Sequence, residues 1–168
     1  TTYNKKNVFN IAVKGNFDDC QRLVKNFFNK NYKKENIHLA AVNSINWVRI
    51  MGQIIYYFWS YFRVNHKLEP ISFVVPTGNF GNAYAGYTAK KMGLPIKSIV
   101  ISSNKNDVLT RFFESGNMFL KETQKSLSPS MDIQVSSNFE RLLFDFCKNG
   151  KIIKRLFRNL ETKKRICC

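Results

Sequence analysis

The sequence is poor in acid, proline and histidine. Eleven Asp and Glu stand against 27 Lys and Arg, with 4 prolines and 2 histidines in 168 residues. It lacks the run of about 20 apolar residues that a membrane-crossing helix needs. Its longest apolar stretch, Ile50 to Phe62, is interrupted by Gln53 and Ser60 and reads as a buried amphipathic helix. No charged-then-apolar leader with a small-residue cleavage site opens the chain. It starts at Thr1, already close to strand-like sequence, so a missing start reads as truncation rather than processing. Cys20, Cys147, Cys167 and Cys168 show no zinc-ligand spacing, and the adjacent Cys167 and Cys168 make no disulfide framework. They read as isolated thiols of a reducing cytoplasm. Internal repeats and low-complexity linkers are also missing.

Hydrophobic content of 44% and aromatic content of 14% suffice for a sizeable core and exclude a disordered chain. The length suits one domain or a piece of a larger one. The net charge of +16 invites a nucleic-acid reading. However, the lysines are spread along the chain, and Asn, Ile, Phe and Tyr are abundant beside them, as composition drift in an A- and T-rich genome produces. No nucleic-acid partner follows. The densest basic run, Lys151 to Arg165, is set apart as a segment of its own (residues 151–168), distinct from residues 1–150.

Apolar strands alternate with helical stretches. Asn7 to Lys14 reads as a short strand, and Phe17 to Phe28 as a helix with Asp18 and Asp19 in its first turn, where the helix dipole favours acid. Lys30 to Asn36 is a polar loop, His38 to Asn43 a buried strand, and Asn46 to Val64 a long helix. Ile71 to Val75 is a strong strand between prolines, followed by the turn Thr77 to Asn82 and a helix, Ala83 to Met92, that exits at Gly93 and Pro95. Lys97 to Ser102 is the next strand. Asn106 or Asp107 caps a short helix ending at Gly116. Asn117 to Val135 reads as irregular. Asn138 to Cys147 and Lys151 to Leu160 are helices split at Gly150. This alternation predicts an α/β fold, a three-layer parallel sheet with flanking helices. In such sheets ligands bind at the C-terminal strand ends. Three polar clusters fall there: Asn43 to Asn46, Thr77 to Asn82, and Ser102 to Asn104.

Phe73 to Gly86 reads FVVPTGNFGNAYAG, a strand entering a turn with two glycines and leaving as a helix. Glycine permits close backbone approach and positive φ. The first amides of the helix lack intrahelical acceptors and, with the dipole, suit a phosphate. The turn lacks the Lys and Ser/Thr of a nucleotide P-loop and the spacing of a dinucleotide fingerprint, so a phosphate held by backbone amides fits better than ATP or NAD. On spacing alone, a plain strand-to-helix turn stands equally well. Asn79 and Asn82 add polar groups able to orient an anion.

TGNFGN at 77–82 resembles the phosphate-holding loop of threonine synthases, in the tryptophan-synthase-β-like group of pyridoxal-phosphate (PLP) enzymes. GNFDDCQRLVK (15–25), AVNSINWVRIMGQIIYYFWSYF (41–62), AGYTAKKMGLPI (85–96), TRFFESG (110–116) and SPSMDIQVSSNFERLLF (128–144) are similar to that family in the same order. The resemblance runs from about Asn7 to Phe146 and fades after Gly150. The ending KKRICC is unlike the family and reads as aberrant. Many members carry Asp where Asn82 stands, and loss of that charge beside a phosphate leaves binding intact. The resemblance implies PLP held by Gly78, Asn79, Phe80, Gly81 and Asn82. It also implies conversion of O-phospho-L-homoserine and water to L-threonine and phosphate. The family's Schiff-base lysine lies in an upstream Phe-Lys-Asp context that this chain does not contain. As a central piece of such an enzyme, residues 1–168 are therefore expected to be inactive alone. Oligomeric state stays open, a monomer included. Threonine dehydratases and cysteine synthases share the loop, but NSINW and the 128–144 block separate them.

Ser44 and Asn46, at a strand exit, are candidate substrate contacts, and Ser128, Ser130 and Asp132 candidate residues of the cleft mouth. His38 and His66 read as structural, and the aromatics between Trp47 and Phe62 as packing residues. Lys90 and Lys91 read as helix-surface residues rather than cofactor lysines.

Overall fold

The computed structural model describes residues 5–31 and 38–167. They fall into two compact units, residues 1–39 and 40–168.

The first unit carries helix α1, Phe17–Asn31. Its start is fixed reciprocally. The Asp19 amide donates to Asn16 Oδ1 at 3.1 Å and the Asn16 amide to Asp19 Oδ2 at 3.0 Å, the logic of a capping box. Asp18 and Asp19 lie in the first turn as expected, and the helix runs past Phe28. The strand expected over Asn7 to Lys14 does not form. Phe9 and Ile11 are over four-fifths exposed, and no ladder partner exists for them among the described residues. The expected loop from Lys30 to Asn36 falls mostly outside the described residues.

The second unit is built on a strand–helix–strand crossover. β1 (Ile71–Pro76) pairs in parallel with β2 (Ile96–Ser102), with Phe73 opposite Ile99 and Val75 opposite Ile101. Parallel neighbours cannot be joined by a tight turn, and helix α3 (Gly81–Lys91) makes the crossover. Helix α2 (Trp47–Val64) packs along α3. Its buried face, Ile50, Ile54, Tyr57 and Tyr61, follows the 3.6-residue period. Gly86 lets the two helices close, since a Cβ there would stand 2.7 Å from ring carbons of Tyr57.

Helix α4 (Val108–Ser115) ends at Gly116, whose φ of 69° supplies the left-handed turn. Asp107 stands at its start but spends its carboxylate on Arg111 (2.8 Å) instead of capping amides. A short strand, β3 (Asn117–Phe119), and a 3₁₀ turn, Pro129–Met131, lie within the stretch expected to be irregular. Helices α5 (Phe139–Cys147) and α6 (Gly150–Lys163) break at Lys148, and the Asn149 side chain caps α6 by accepting from the amides of Lys151 and Ile152. The split thus lies just before Gly150. Strand β4 (Arg165–Cys167) pairs antiparallel with β3.

The strand expected over His38 to Asn43 is absent. These residues have no regular structure and Val42 is 84% exposed. An apolar run becomes a strand only by pairing, and among the described residues the parallel sheet has two strands, β1 and β2. A parallel sheet with flanking helices stands, without the third strand. His38 and His66 are both exposed, so neither is a buried structural residue.

Candidate functional site

β1 ends where Thr77 donates its amide to Ser102 O (3.0 Å), and the turn then rises into α3. Phe80 takes φ 61° and ψ 8°, a left-handed conformation that costs a bulky residue roughly 1–3 kcal/mol. Packing offsets it. The ring is 3% exposed, stacks on Phe113 at 6.2 Å and meets Phe139 edge-on at 5.5 Å. Such aromatic pairs contribute about 0.5–1.5 kcal/mol each beyond burial. Gly78 allows the chain at Met131 to pass over the turn, because a Cβ there would lie 3.0 Å from Met131 Cα.

The consequence is an open helix start. No side chain caps α3, and the first amide of the region to find a backbone acceptor is that of Tyr84, to Phe80 O at 2.9 Å. The amides of Gly81, Asn82 and Ala83 have no acceptor among the described residues. Successive unmet amides at a mixed-handed turn, with the dipole behind them, are built for an oxyanion. The Tyr57 hydroxyl steadies this first turn by donating to Asn82 O at 2.9 Å. Burial pushes the Tyr57 phenol far up, so it stays a donor throughout the working pH range.

The structure brings Ser44 and the 77–82 turn together, although Ser44 follows an irregular segment and not the expected strand. Asn79 Nδ2 donates to Ser44 Oγ at 2.6 Å. Asn79 Oδ1 accepts from the Ser137 amide at 2.9 Å. Oδ1 and one of the two N–H donors of the Asn79 side chain are therefore engaged inside the protein, where they shape the turn. Asn82, exposed and with no side-chain bond recorded, remains free to orient an anion. Asn46 is the N-cap of α2. Its Oδ1 accepts from the Val48 amide (2.9 Å) and its Nδ2 donates to Ala41 O (2.5 Å). Its Oδ1 and one of its two N–H donors therefore serve the start of α2.

Two contributors were not picked out from the sequence. Asn138, fully buried, donates its Nδ2 to Ser44 O (2.8 Å) and Asn79 O (3.1 Å), and its amide to Asn79 O (3.2 Å). Arg141 donates to Ile45 O at 2.6 Å and lies over the Trp47 ring. The run Ser136-Ser137-Asn138 before a helix looks like ordinary capping, and nothing local marks its partners.

The third exit is a separate polar cluster. Asn104 Nδ2 shares its two N–H donors among Ser126, Ser128 and Asp132, and Asn106 Nδ2 donates to Asp132. The Ser126 hydroxyl at 2.6 Å, with its amide and both asparagines, holds the Asp132 carboxyl below the usual carboxylate range. Ser128 and Asp132 thus meet at the exit of β2, whereas Ser130 is exposed outside the cluster. An apolar cavity of about 490 Å³ is lined by Phe80, Ala83, Ile99, Phe113, Leu142 and Phe146 among others. Its lining offers no cation for a phosphate. Lys90 and Lys91 stand at the far end of α3, bonded to Lys97 O and Asp145, about 13 Å along the axis at 1.5 Å per residue.

A parallel α/β unit with an uncapped helix start at its strand exits is an arrangement suited to a phosphate-bearing ligand. Residues 6–154 match the family described as pyridoxal-phosphate dependent enzyme, and the chain belongs to that family. Its cofactor accordingly is pyridoxal phosphate. The open amides of α3 fit the phosphate of this group. The chain is 52% identical over 158 residues to threonine synthase of Pseudomonas aeruginosa, covering 93% of this chain and 34% of the relative. It is 44% identical over 177 residues to that of Saccharomyces cerevisiae, covering 96% and 34%. The crystal structure of PLP-bound threonine synthase from Brucella melitensis superposes with a TM-score of 0.79 at 46% identity, covering 92% of this chain and 34% of that one. The chain therefore spans about a third of the length of these relatives. Among the described residues no helix is long and apolar enough to cross a membrane.

Proposed function

We propose that this chain is the central part of a threonine synthase, which converts O-phospho-L-homoserine and water to L-threonine and phosphate. In this reading residues 1–150 belong to the catalytic α/β region, and the enzyme works in the cytoplasm on a small-molecule substrate. The observation that carries the reading is the 52% identity over 158 residues to a threonine synthase; the uncapped start of α3 behind a left-handed Phe80 supports the cofactor's place in it.

The amides of Gly81, Asn82 and Ala83 would bind the cofactor phosphate, with Gly78 and Phe80 fixing the curvature of the turn. Asn79 contributes through its backbone and its bond to Ser44. PLP, when bound, supplies an electron sink for carbanions next to nitrogen. Ser44 Oγ accepts from Asn79, which leaves its own O–H free to donate to substrate. Lys90 and Lys91, bonded at the other end of α3, take no part. By resemblance the lysine that moves protons lies in the family's upstream Phe-Lys-Asp segment, a triplet this sequence does not contain.

The test compares two proteins, each given PLP and O-phosphohomoserine. The 168-residue chain is expected to release no phosphate above a free-PLP background. The chain extended on both sides to the length of its relatives is expected to release phosphate and threonine in equal amounts. An extended protein that instead deaminates threonine, or makes cysteine from an activated serine, would replace this reading with another lyase of the same family.

A further inference from the structure

We infer that Asn138 is a positioning residue for the anion-holding turn. It acts through the carbonyl of Asn79 and never touches the ligand itself. The inference rests on the reading of Gly81 to Ala83 as a phosphate site.

Asn138 stands at the N-cap of α5, where an asparagine normally spends its side chain on its own helix. Here the side chain makes no cap bond. It reaches instead across 59 and 94 residues of sequence to Asn79 O and Ser44 O. The Asn138 amide adds a second donor to Asn79 O. A carbonyl held by two donors cannot rotate, so the peptide that follows it is locked. That peptide leads into Phe80, whose left-handed backbone precedes the unmet amides of Gly81, Asn82 and Ala83. The next residue, Phe139, holds the Phe80 ring edge-on at 5.5 Å. Consecutive residues of one segment thus grip consecutive residues of the other, Asn138 on Asn79 and Phe139 on Phe80. Without the grip on Asn79, the strained Phe80 backbone has a lower-energy alternative, an extended or right-handed turn, and the amide concavity is lost.

Only an amide fills this role. Two carbonyl oxygens face Asn138 Nδ2, at 2.8 and 3.1 Å. A carboxylate would set a third oxygen, charged, against both in a fully buried place. A protonated carboxyl could donate once, and burial raises the pH at which it protonates.

The experiment follows hydrogen exchange of the amides from Gly78 to Ala83 in the 168-residue chain. PLP is the probe, and pyridoxal, which lacks the phosphate, is the control. In the parent chain PLP is expected to protect these amides at pH 8 and pH 6, and pyridoxal to leave them unchanged. Asn138→Asp is expected to bind PLP about tenfold more weakly at pH 8, as follows when buried acceptors lose their donor, and to regain protection at pH 6. Asn138→Ser, which keeps one donor and no charge, should fall between the two and serves if the Asp variant does not fold. Equal protection in parent and both variants at both pH values would overturn the role of Asn138 while leaving the phosphate site standing. A parent chain that is protected by neither probe, or equally by both, would overturn the phosphate reading and this inference with it.

Discussion

The Tyr57 hydroxyl donates to the carbonyl of Asn82 at 2.9 Å, tying the middle of α2 to the first turn of α3. The partners lie 25 residues apart in sequence, and the bond crosses the helix interface that Gly86 makes possible. Tyr57→Phe removes it while preserving the ring and its edge contact with Phe73. The expected loss is about 1 kcal/mol of stability, read as a shift in the urea midpoint at unchanged slope. Unchanged stability would mean that the carbonyl is equally well satisfied by its own helix.

Gly86→Ala meets the same tyrosine from the other side. Its Cβ would fall 2.7 Å from Tyr57 Cε1 and Cζ, atoms of a buried ring. Overpacking of this kind costs about 1–3 kcal/mol, despite the better helix propensity of alanine. A more stable Gly86→Ala variant in thermal unfolding would refute the close approach of α2 and α3.

Gly78 and Gly81 are expected to respond differently. A Cβ at Gly78 meets the Met131 backbone at 3.0 Å, whereas at Gly81 its nearest neighbour, Asn138 Nδ2, is 3.4 Å away. Gly81→Ala should keep PLP affinity within about twofold, while Gly78→Ala must displace residue 131 or the turn, at about 1–3 kcal/mol. Fluorescence titration with PLP distinguishes them. The Cβ of residue 81 points at Ile50, Gln53 and Asn138. Gly81→Asp is therefore expected to bury a carboxylate among them and to damage the fold along with cofactor retention.

Asp132 predicts a pH dependence. Its carboxyl is held below its ordinary value of 3.8, chiefly by the Ser126 hydroxyl. The folded state therefore binds this proton less readily than the unfolded state. The stability it supplies is complete above about pH 4–5 and is lost as pH falls through the folded value. Urea midpoints measured from pH 6 down to pH 3 should fall more steeply for the parent chain than for Asp132→Asn. Parallel curves would remove Asp132 from acid sensitivity.

The sequence by itself determined the helices and the turn of the candidate site. Asn46 before an apolar period, acids in the first turn of α1, Gly93 with φ 100° after α3 and Gly116 with φ 69° after α4 are local signals, and each acts within one or two turns of the residue that carries it. The strand–TGNFGN–helix succession is equally local, which is why the phosphate-suited helix start could be read without coordinates. Tertiary structure decided what depends on distant partners. Apolar Asn7 to Lys14 and His38 to Asn43 carry the composition of strands, but a strand exists only in a ladder, and no ladder forms on either among the described residues. The side chains of Asn79 and Asn46 look wholly available in sequence and are partly engaged in the fold. Asn138 looks like a cap and instead holds a carbonyl 59 residues away. A hydrogen-bonding side chain declares its chemistry in the sequence, but its partner is set by how the chain packs.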